Sequence, residues 1–395
     1  MVSRRSVLAQ ATVAGVAAAT APWWVRSLTP AAYAAPETCE LALENRGSGV
    51  LNAYVTGREF GTEKWMLLKA DSSVYYLEDV SDPVTPIPED CSIPVESSTV
   101  LTLPRMFGAR IYFVSDDKLE FFVNPGPALV EPSYTVAEDP NYHKTFSWCE
   151  FTFNDTQLYV NISYVDLVTA LPLGLTLEGD ETKTVDALPD GAVEAIASDL
   201  AAQAGADGRP WDQLVLSGDG GGVLRCVSPQ NLSESLFDGY WDPYVGEVWQ
   251  KYADTDLYVD IQGGRGEFVG RVSGDVLTFD DGSTFPKPVS VDIFTCNSGP
   301  FANNPDDSDE KKGMLARIAA AFNRSTILDF EEQPNGAGAD DYYQTEITNH
   351  WSRIVHANSP IGYAFPYDDV RPDDAPDESG YANDGNPRRL TVHAG

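Results

Sequence analysis

The stretch Trp148-Cys149-Glu150-Phe151-Thr152-Phe153-Asn154-Asp155-Thr156-Gln157-Leu158-Tyr159-Val160-Asn161-Ile162-Ser163-Tyr164-Val165-Asp166 sets two alternating runs around a cluster of turn formers. Alternation has the two-residue period of a strand, and Asn, Asp and Thr side chains bond locally in turns, so a β-hairpin is predicted. With Asp155-Thr156 as its two-residue loop, Phe151 and Phe153 pair with Val160 and Leu158 on an apolar face. Glu150, Thr152 and Asn154 then share the opposite face with Tyr159, Asn161 and Ser163. That face combines a carboxylate, hydroxyls, amides and an aromatic. A sugar needs this mixture: polar groups for its hydroxyls and a flat apolar surface for the ring. The plainer alternative is the wet face of an antiparallel sheet, which is polar without any ligand.

Asp166 raises a geometric question. It shares the parity of Leu158 and Ile162, on the core side, and lies five residues beyond the cross-strand partner of Glu150. At strand rise that is about 16 Å. Two carboxylates acting across one glycosidic bond stand roughly 5–9.5 Å apart. For Asp166 to work beside Glu150, a bulge, a strand end or a strong bend must bring it back.

Working outward, short apolar runs punctuated by Pro, Gly, Asp and Ser extend from about Thr38 to Pro172, among them Val50–Val55, Val100–Leu103, Ala109–Val114 and Leu119–Val123. This is the rhythm of an antiparallel β-sandwich or barrel. It changes near Asp186. Pro189 suits the first position of a helix that runs to a stop at Gly205, and further helices are predicted over Tyr240–Tyr252, Asp309–Asn323 (with Ser308 as N-cap) and Tyr342–His356. Strands are predicted at Gln213–Ser217, Leu257–Ile261, Val276–Phe279 and Val289–Phe294, giving a mixed α/β region. The expected division is therefore an export segment at 1–34, a β-barrel or sandwich lobe at 35–180 carrying the hairpin, and a mixed α/β lobe at 181–395.

The chain has 395 residues, with 60 Asp+Glu against 26 Lys+Arg and a net charge of −34. Such a surface repels phosphate backbones and anionic leaflets, so neither nucleic acid nor a membrane is expected as a partner. A neutral polymer is left as a natural substrate. Strong acidity suits either a high-salt habitat or a secreted enzyme kept soluble and monomeric, and both readings stay open. Ser3-Arg4-Arg5-Ser6-Val7-Leu8, an uncharged stretch to Val25 and Ala32-Tyr33-Ala34 read as a twin-arginine signal with its cleavage site, so the protein is expected to be secreted by that route. A retained anchor is the competing reading of the stretch.

Five cysteines allow at most two bridges. They form no CxxC, and the four histidines lack metal-ligand spacing, so no metal and no cofactor is expected. The Gly-rich segments 218–222 and 263–266 match no phosphate-binding fingerprint and read as turns. Asp368-Asp369 fits a cation site, an acidic cleft or a structural strand end. His350 and Trp351 read as packing residues.

Further fragments recur in order: Tyr240-Trp241-Asp242, Glu247-Val248-Trp249-Gln250-Lys251-Tyr252, Gly270-Arg271-Val272-Ser273-Gly274, Phe285-Pro286-Lys287-Pro288, Cys296-Asn297-Ser298-Gly299-Pro300-Phe301, His350 to Ala357, and Gly362-Tyr363-Ala364-Phe365-Pro366-Tyr367-Asp368-Asp369-Val370. Together with Glu150 to Asp155 and Val165-Asp166, the chain resembles glycoside hydrolase family 64, the laminaripentaose-producing β-1,3-glucanases of the thaumatin-like superfamily. The resemblance implies a β-rich, two-lobed fold with a wide groove between the lobes. It implies inverting endo-hydrolysis of β-1,3-glucan such as laminarin or curdlan, releasing laminaripentaose-type oligosaccharides. It places the general acid at Glu150 and the general base at Asp166, with Thr152, Asn154, Tyr159, Asn161 and Ser163 against glucan. Burial beside aromatics is expected to keep Glu150 protonated, while a wetter Asp166 stays ionised. Two positions depart from the family pattern: Tyr159 stands where a Trp is usual, and Leu167 to Leu171 replace a bulkier segment. The alternative is a thaumatin-like protein that binds β-glucan without cleaving it; the carboxylate pair separates the two.

Overall fold

The computed structural model describes residues 34–395 apart from Asp219, Glu234, Pro360 and 376–378. The twin-arginine motif and its apolar stretch lie outside the described residues. The molecule is β-rich, with several sheets and few helices. No helix of the described residues is long and apolar enough to cross a membrane.

The largest sheet is antiparallel. It runs in the order Tyr381–Asp384, Leu158–Asn161, Phe146–Phe153, Met106–Ser115, Leu51–Glu59, Trp65–Leu68 and Val74–Tyr76, with Ile93–Val95 also paired to Leu51–Glu59. Its alternating sequences turn Ala53, Val55, Ile111, Phe113, Cys149, Phe151, Phe153, Leu158 and Val160 inward, all buried. They share one contiguous core with Leu41, Leu43, Leu101, Leu103, Leu175, Leu177, Leu390 and Val392 of a five-stranded sheet. That sheet is ordered Thr182–Val185, Leu173–Glu178, Arg389–Ala394, Thr38–Asn45 and Ser98–Pro104. Burial of two apolar faces against each other drives this layering.

This arrangement corrects the expected division at residue 180. Thr182–Val185 pairs with Leu173–Glu178, and Arg389–Ala394 lies parallel to Thr38–Asn45 inside the same sheet. The C-terminal strands thus belong with the sheets built from the first half of the chain. Between them, helices Asp242–Asp254 and Asp309–Asn323 pack on a second five-stranded sheet centred on Glu267–Ser273 and Leu257–Asp260, while Ala192–Asp207 packs against His350–Asn358 and the strand Val223–Val227.

Several local expectations hold. Asp309–Asn323 is helical, with the Ser308 hydroxyl accepting from the Lys311 amide at 3.1 Å. Others change for identifiable reasons. The first helix runs past Gly205 to Asp207, because Gly208 adopts the left-handed conformation (φ 70°) that closes it. Tyr342–His356 is helical only from His350: Tyr343 sits at φ 60°, which no helix passes, and Asn349 caps by accepting from the Ser352 amide at 3.1 Å. The alternating Val289–Phe294 is not a strand but the helix Ser290–Thr295, nucleated by the Asp292 carboxylate accepting from the Val289 amide at 3.0 Å. Leu214 ends a short 3-10 turn, leaving Val215–Ser217 as the strand. No disulfide forms: all five cysteines are unpaired and buried. Burial lifts each thiol well above its ordinary range, so they serve as packing groups.

Candidate active site

The hairpin forms in the anticipated register, with Glu150 opposite Asn161, Phe151 opposite Val160, Thr152 opposite Tyr159 and Phe153 opposite Leu158. Asn154 closes the loop. Its Oδ1 accepts from the Thr156 amide at 2.8 Å, the Thr156 hydroxyl at 2.7 Å and the Gln157 amide at 2.9 Å. The side-chain oxygen of Asn154 is therefore engaged in the turn.

Pairing across the sheet sets Thr56, Arg110, Glu150, Asn161 and Tyr381 in one row, on the face opposite the core. Arg110 directs both Nε and Nη2 at Oε1 of Glu150, each at 3.0 Å. Its Nη1 donates to Oε2 of Glu131 at 2.7 Å, and the Tyr112 hydroxyl donates to the other Glu131 oxygen at 2.8 Å. The guanidinium also lies 5.2 Å from the Trp148 ring centre. Among the described residues, no protein donor reaches Oε2 of Glu150.

Asp166 arrives by a strand end and a bend. The regular strand stops at Asn161; Ser163 makes a single parallel bridge to Tyr363, and the Tyr164 carbonyl accepts the Trp351 indole N–H at 3.1 Å. The Ser163 hydroxyl accepts from the Val165 amide at 3.2 Å, and Leu167–Thr169 then enters a different, three-stranded sheet. At the corner, Asp166 Oδ1 accepts from Asn231 Nδ2 at 3.0 Å, and the carboxylate also receives the Tyr134 hydroxyl. Its charge is felt by Arg110 and Glu150.

Burial pushes the Glu150 carboxyl above its ordinary range; Arg110 opposes this, while the Asp166 and Glu131 charges add to it. Asp166 is raised too, again chiefly by burial, against the pull of Arg110, Asn231 and Tyr134. The anticipated contrast between an enclosed Glu150 and a wet Asp166 is thus absent. Both are half-buried, and they differ in their donors instead: Asp166 has two neutral ones, Glu150 has only a guanidinium shared with Glu131.

Of the remaining residues on that face, Thr152 and Ser163 are half-buried. Among the described residues, Asn161 Oδ1, enclosed opposite Glu150 in the ladder, meets no hydrogen-bond partner. Tyr159 is buried, stacked on Tyr381 with ring centres 5.4 Å apart, and shares a hydrogen bond with the Tyr363 hydroxyl at 3.2 Å. Its ring therefore lies under Tyr381 instead of forming an open platform.

Arg110, Tyr112, Glu131, Tyr134 and Asn231 escaped the sequence reading. For Arg110 and Tyr112 the signal was present, since Ala109-Arg110-Ile111-Tyr112-Phe113 alternates and puts both on the non-core face. Glu131 and Tyr134 lie outside strands and helices, and Asn231 sits in the one-turn helix Pro229–Leu232, too short for spacing to carry information. Asp368 is structural: it is buried and accepts from Arg324 at 2.9 Å, His356 at 2.6 Å and the Ala364 amide at 2.8 Å. Among the described residues, no cluster of three or more His, Cys, Asp or Glu side chains is arranged to hold a metal.

Comparison with known proteins adds to this geometry. A model of the family described as β-1,3-glucanase, glycoside hydrolase family 64, matches residues 37–394. Glucan endo-1,3-β-glucosidases of Cellulosimicrobium cellulans and of Arthrobacter sp. (strain YCWD3) are each 30% identical over 379 residues, 91% of this chain. The chain spans 66% of the length of these two relatives. A solved laminaripentaose-producing β-1,3-glucanase in complex with laminaritetraose superposes with a TM-score of 0.78 at 30% identity, covering 91% of this chain and 98% of that one. A β-1,3-glucanase domain from Clostridium beijerinckii shares the fold, with a TM-score of 0.72 at 20% identity over 93% of this chain and all of that domain. The protein belongs to glycoside hydrolase family 64, the β-1,3-glucanases.

Proposed function

We propose that this protein is a secreted endo-β-1,3-glucanase that cleaves its polymer with inversion, Glu150 acting as general acid and Asp166 as general base. The carrying observation is the bend at Val165–Asp166, which brings the second carboxylate within the electrostatic reach of Glu150 and Arg110. Differing donors support the division of labour. Asp166, hydrogen-bonded by Asn231 and Tyr134, is better held as an anion. Glu150, whose Oε2 meets no protein donor among the described residues, has an oxygen on which to carry a proton.

In this reading Glu150 gives that proton to the glycosidic oxygen as the C1–O bond breaks. Asp166 removes a proton from a water that attacks C1 from the opposite face, leaving the α-anomer. Solvent then returns a proton to Glu150 and takes one from Asp166. Thr152, Asn161 and Ser163, all half-buried, supply hydrogen bonds to sugar hydroxyls beside the two carboxylates. Laminaripentaose as product follows by analogy with the laminaripentaose-producing relative, and a thaumatin-like barrel and a mixed lobe flanking a glucan groove is the arrangement we propose for this β-rich fold. Export by the twin-arginine route is supported by Arg4-Arg5 and by five buried, unpaired thiols, which suit a chain that folds fully before meeting an oxidising compartment.

Laminarin and curdlan hydrolysis by wild type, Glu150→Gln and Asp166→Asn tests this. We expect each substitution to lower kcat by about 10²–10⁴-fold, with proton NMR of the first-formed reducing end showing the α-anomer in wild type. Comparable oligosaccharide release by all three proteins would rule out this pair, and a β-anomer would rule out inversion.

A further inference from the structure

We propose that Glu131 sets the pH range of the enzyme by taking up the charge of Arg110, so that Glu150 is free to hold a proton. The proposal rests on Glu150 being the general acid. A guanidinium facing a single buried carboxyl forms an ion pair that holds the carboxyl ionised, which is useless in a group that must donate a proton. Here the guanidinium is divided. Nε and Nη2 converge on one oxygen of Glu150, while Nη1 goes to Glu131 at the shorter distance of 2.7 Å. The Tyr112 hydroxyl accepts from that same Nη1 at 3.3 Å and donates to the second Glu131 oxygen at 2.8 Å. Among the described residues, Glu131 thus has a donor on each of its oxygens, where Glu150 has donors on one alone.

The charges and titratable groups facing Glu150 come from every neighbouring element. Arg110 and Tyr112 lie on the adjacent strand Met106–Ser115, Glu131 and Tyr134 on the segment after Ala128–Val130, and Asp166 on the bend after Leu158–Asn161. Glu131 and Asp166 both favour protonated Glu150, and Arg110 opposes it. Glu131 also faces Asp166 and shifts it in the same sense. Glu131 acts through Arg110 and is a positioning residue, not a catalytic one. Removing its charge leaves an unshared guanidinium between the two working carboxyls, and both limbs of the pH profile should slide toward acid together.

The test is the pH dependence of kcat on laminarin for wild type, Glu131→Gln and Tyr112→Phe, with Glu150→Gln beside them and folding checked by circular dichroism. We expect the bell of Glu131→Gln to move down by about one pH unit, a roughly tenfold loss of kcat on its alkaline side with activity kept on the acid side. Tyr112→Phe, isosteric in the core, should move it in the same direction by less. A purely structural role would lower the bell without sliding it. Limbs at the wild-type position in folded Glu131→Gln, or a slide toward alkali, would overturn the proposal. Should Glu131→Gln not fold, an unmoved bell in Tyr112→Phe would overturn it equally. Full activity in Glu150→Gln would instead remove the acid assignment on which it stands.

Discussion

Three carboxylates around one guanidinium make the site electrostatically expensive, and the consequence is measurable residue by residue. Glu150 and Asp166 both have folded-state pKa values raised above those of the unfolded chain. The folded protein therefore binds more protons than the unfolded one over that interval, and stability falls as pH rises through it. The penalty is absent below the unfolded values and grows as pH rises through the folded ones. Glu150→Gln and Asp166→Asn each remove one half-buried carboxyl whose ionised form the fold disfavours, while Arg110 keeps Glu131 as partner. Each variant should melt roughly 1–3 °C above wild type at pH 7, with the gap closing near pH 3. Differential scanning calorimetry at the two pH values decides this; a lower melting temperature at pH 7 would mean that the Arg110–Glu150 pair is a net support of the fold. At this scale parity made Glu150 legible and would have yielded Arg110 by the same reasoning. Glu131 and Asn231 were not legible, because their roles come from tertiary placement of aperiodic segments.

At the scale of elements, the bend between Asn161 and Leu167 decides whether there is a site at all. Its inner carbonyl, Tyr164 O, depends on the indole of Trp351, a fully buried residue from a helix nearly two hundred positions away. Trp351→Phe keeps most of the ring but leaves that carbonyl without its donor, at a cost of about 1–3 kcal/mol. We expect kcat to fall several-fold as Asp166 loses its fixed position. Ser308→Ala is the control, costing about 1 kcal/mol of helix capping with kcat unchanged. Equal kcat in both would show that the bend is held unaided by Asn231 and by Gln230, whose Nε2 donates to the Val165 carbonyl at 3.2 Å. Trp351 was read from sequence as a packing residue, and its link to Asp166 could not be seen there. Local chemistry was readable where it acts alone, as in the hairpin register and the Ser308 cap. Val289–Phe294 misled because β-branched alternation imitates a strand, while the deciding bond, Asp292 to the Val289 amide, is a capping contact that period alone does not reveal.

For the molecule as a whole, the division expected near residue 180 fails because the C-terminal strand Arg389–Ala394 is inserted between Thr38–Asn45 and Leu173–Glu178. Composition changes along the chain mark where helices begin, but they do not record which distant strand completes a sheet. One contiguous core spans the sheets and the helices, so chain ends and middle should unfold together. The net charge of −34 loads that single unit with self-repulsion. Raising salt from about 0.05 M to about 1 M shortens the screening length to roughly 3 Å and should relieve it. The melting temperature is therefore expected to rise by several degrees across that range. A neutral glucan gains nothing from Coulomb steering, so kcat/KM should change by less than about twofold over the same range. Thermal melts and laminarin kinetics in matched buffers check both halves. A flat melting temperature would show that self-repulsion among the acidic side chains does not limit stability. A steep fall in kcat/KM would show that screening reaches the half-buried carboxylates of the site itself.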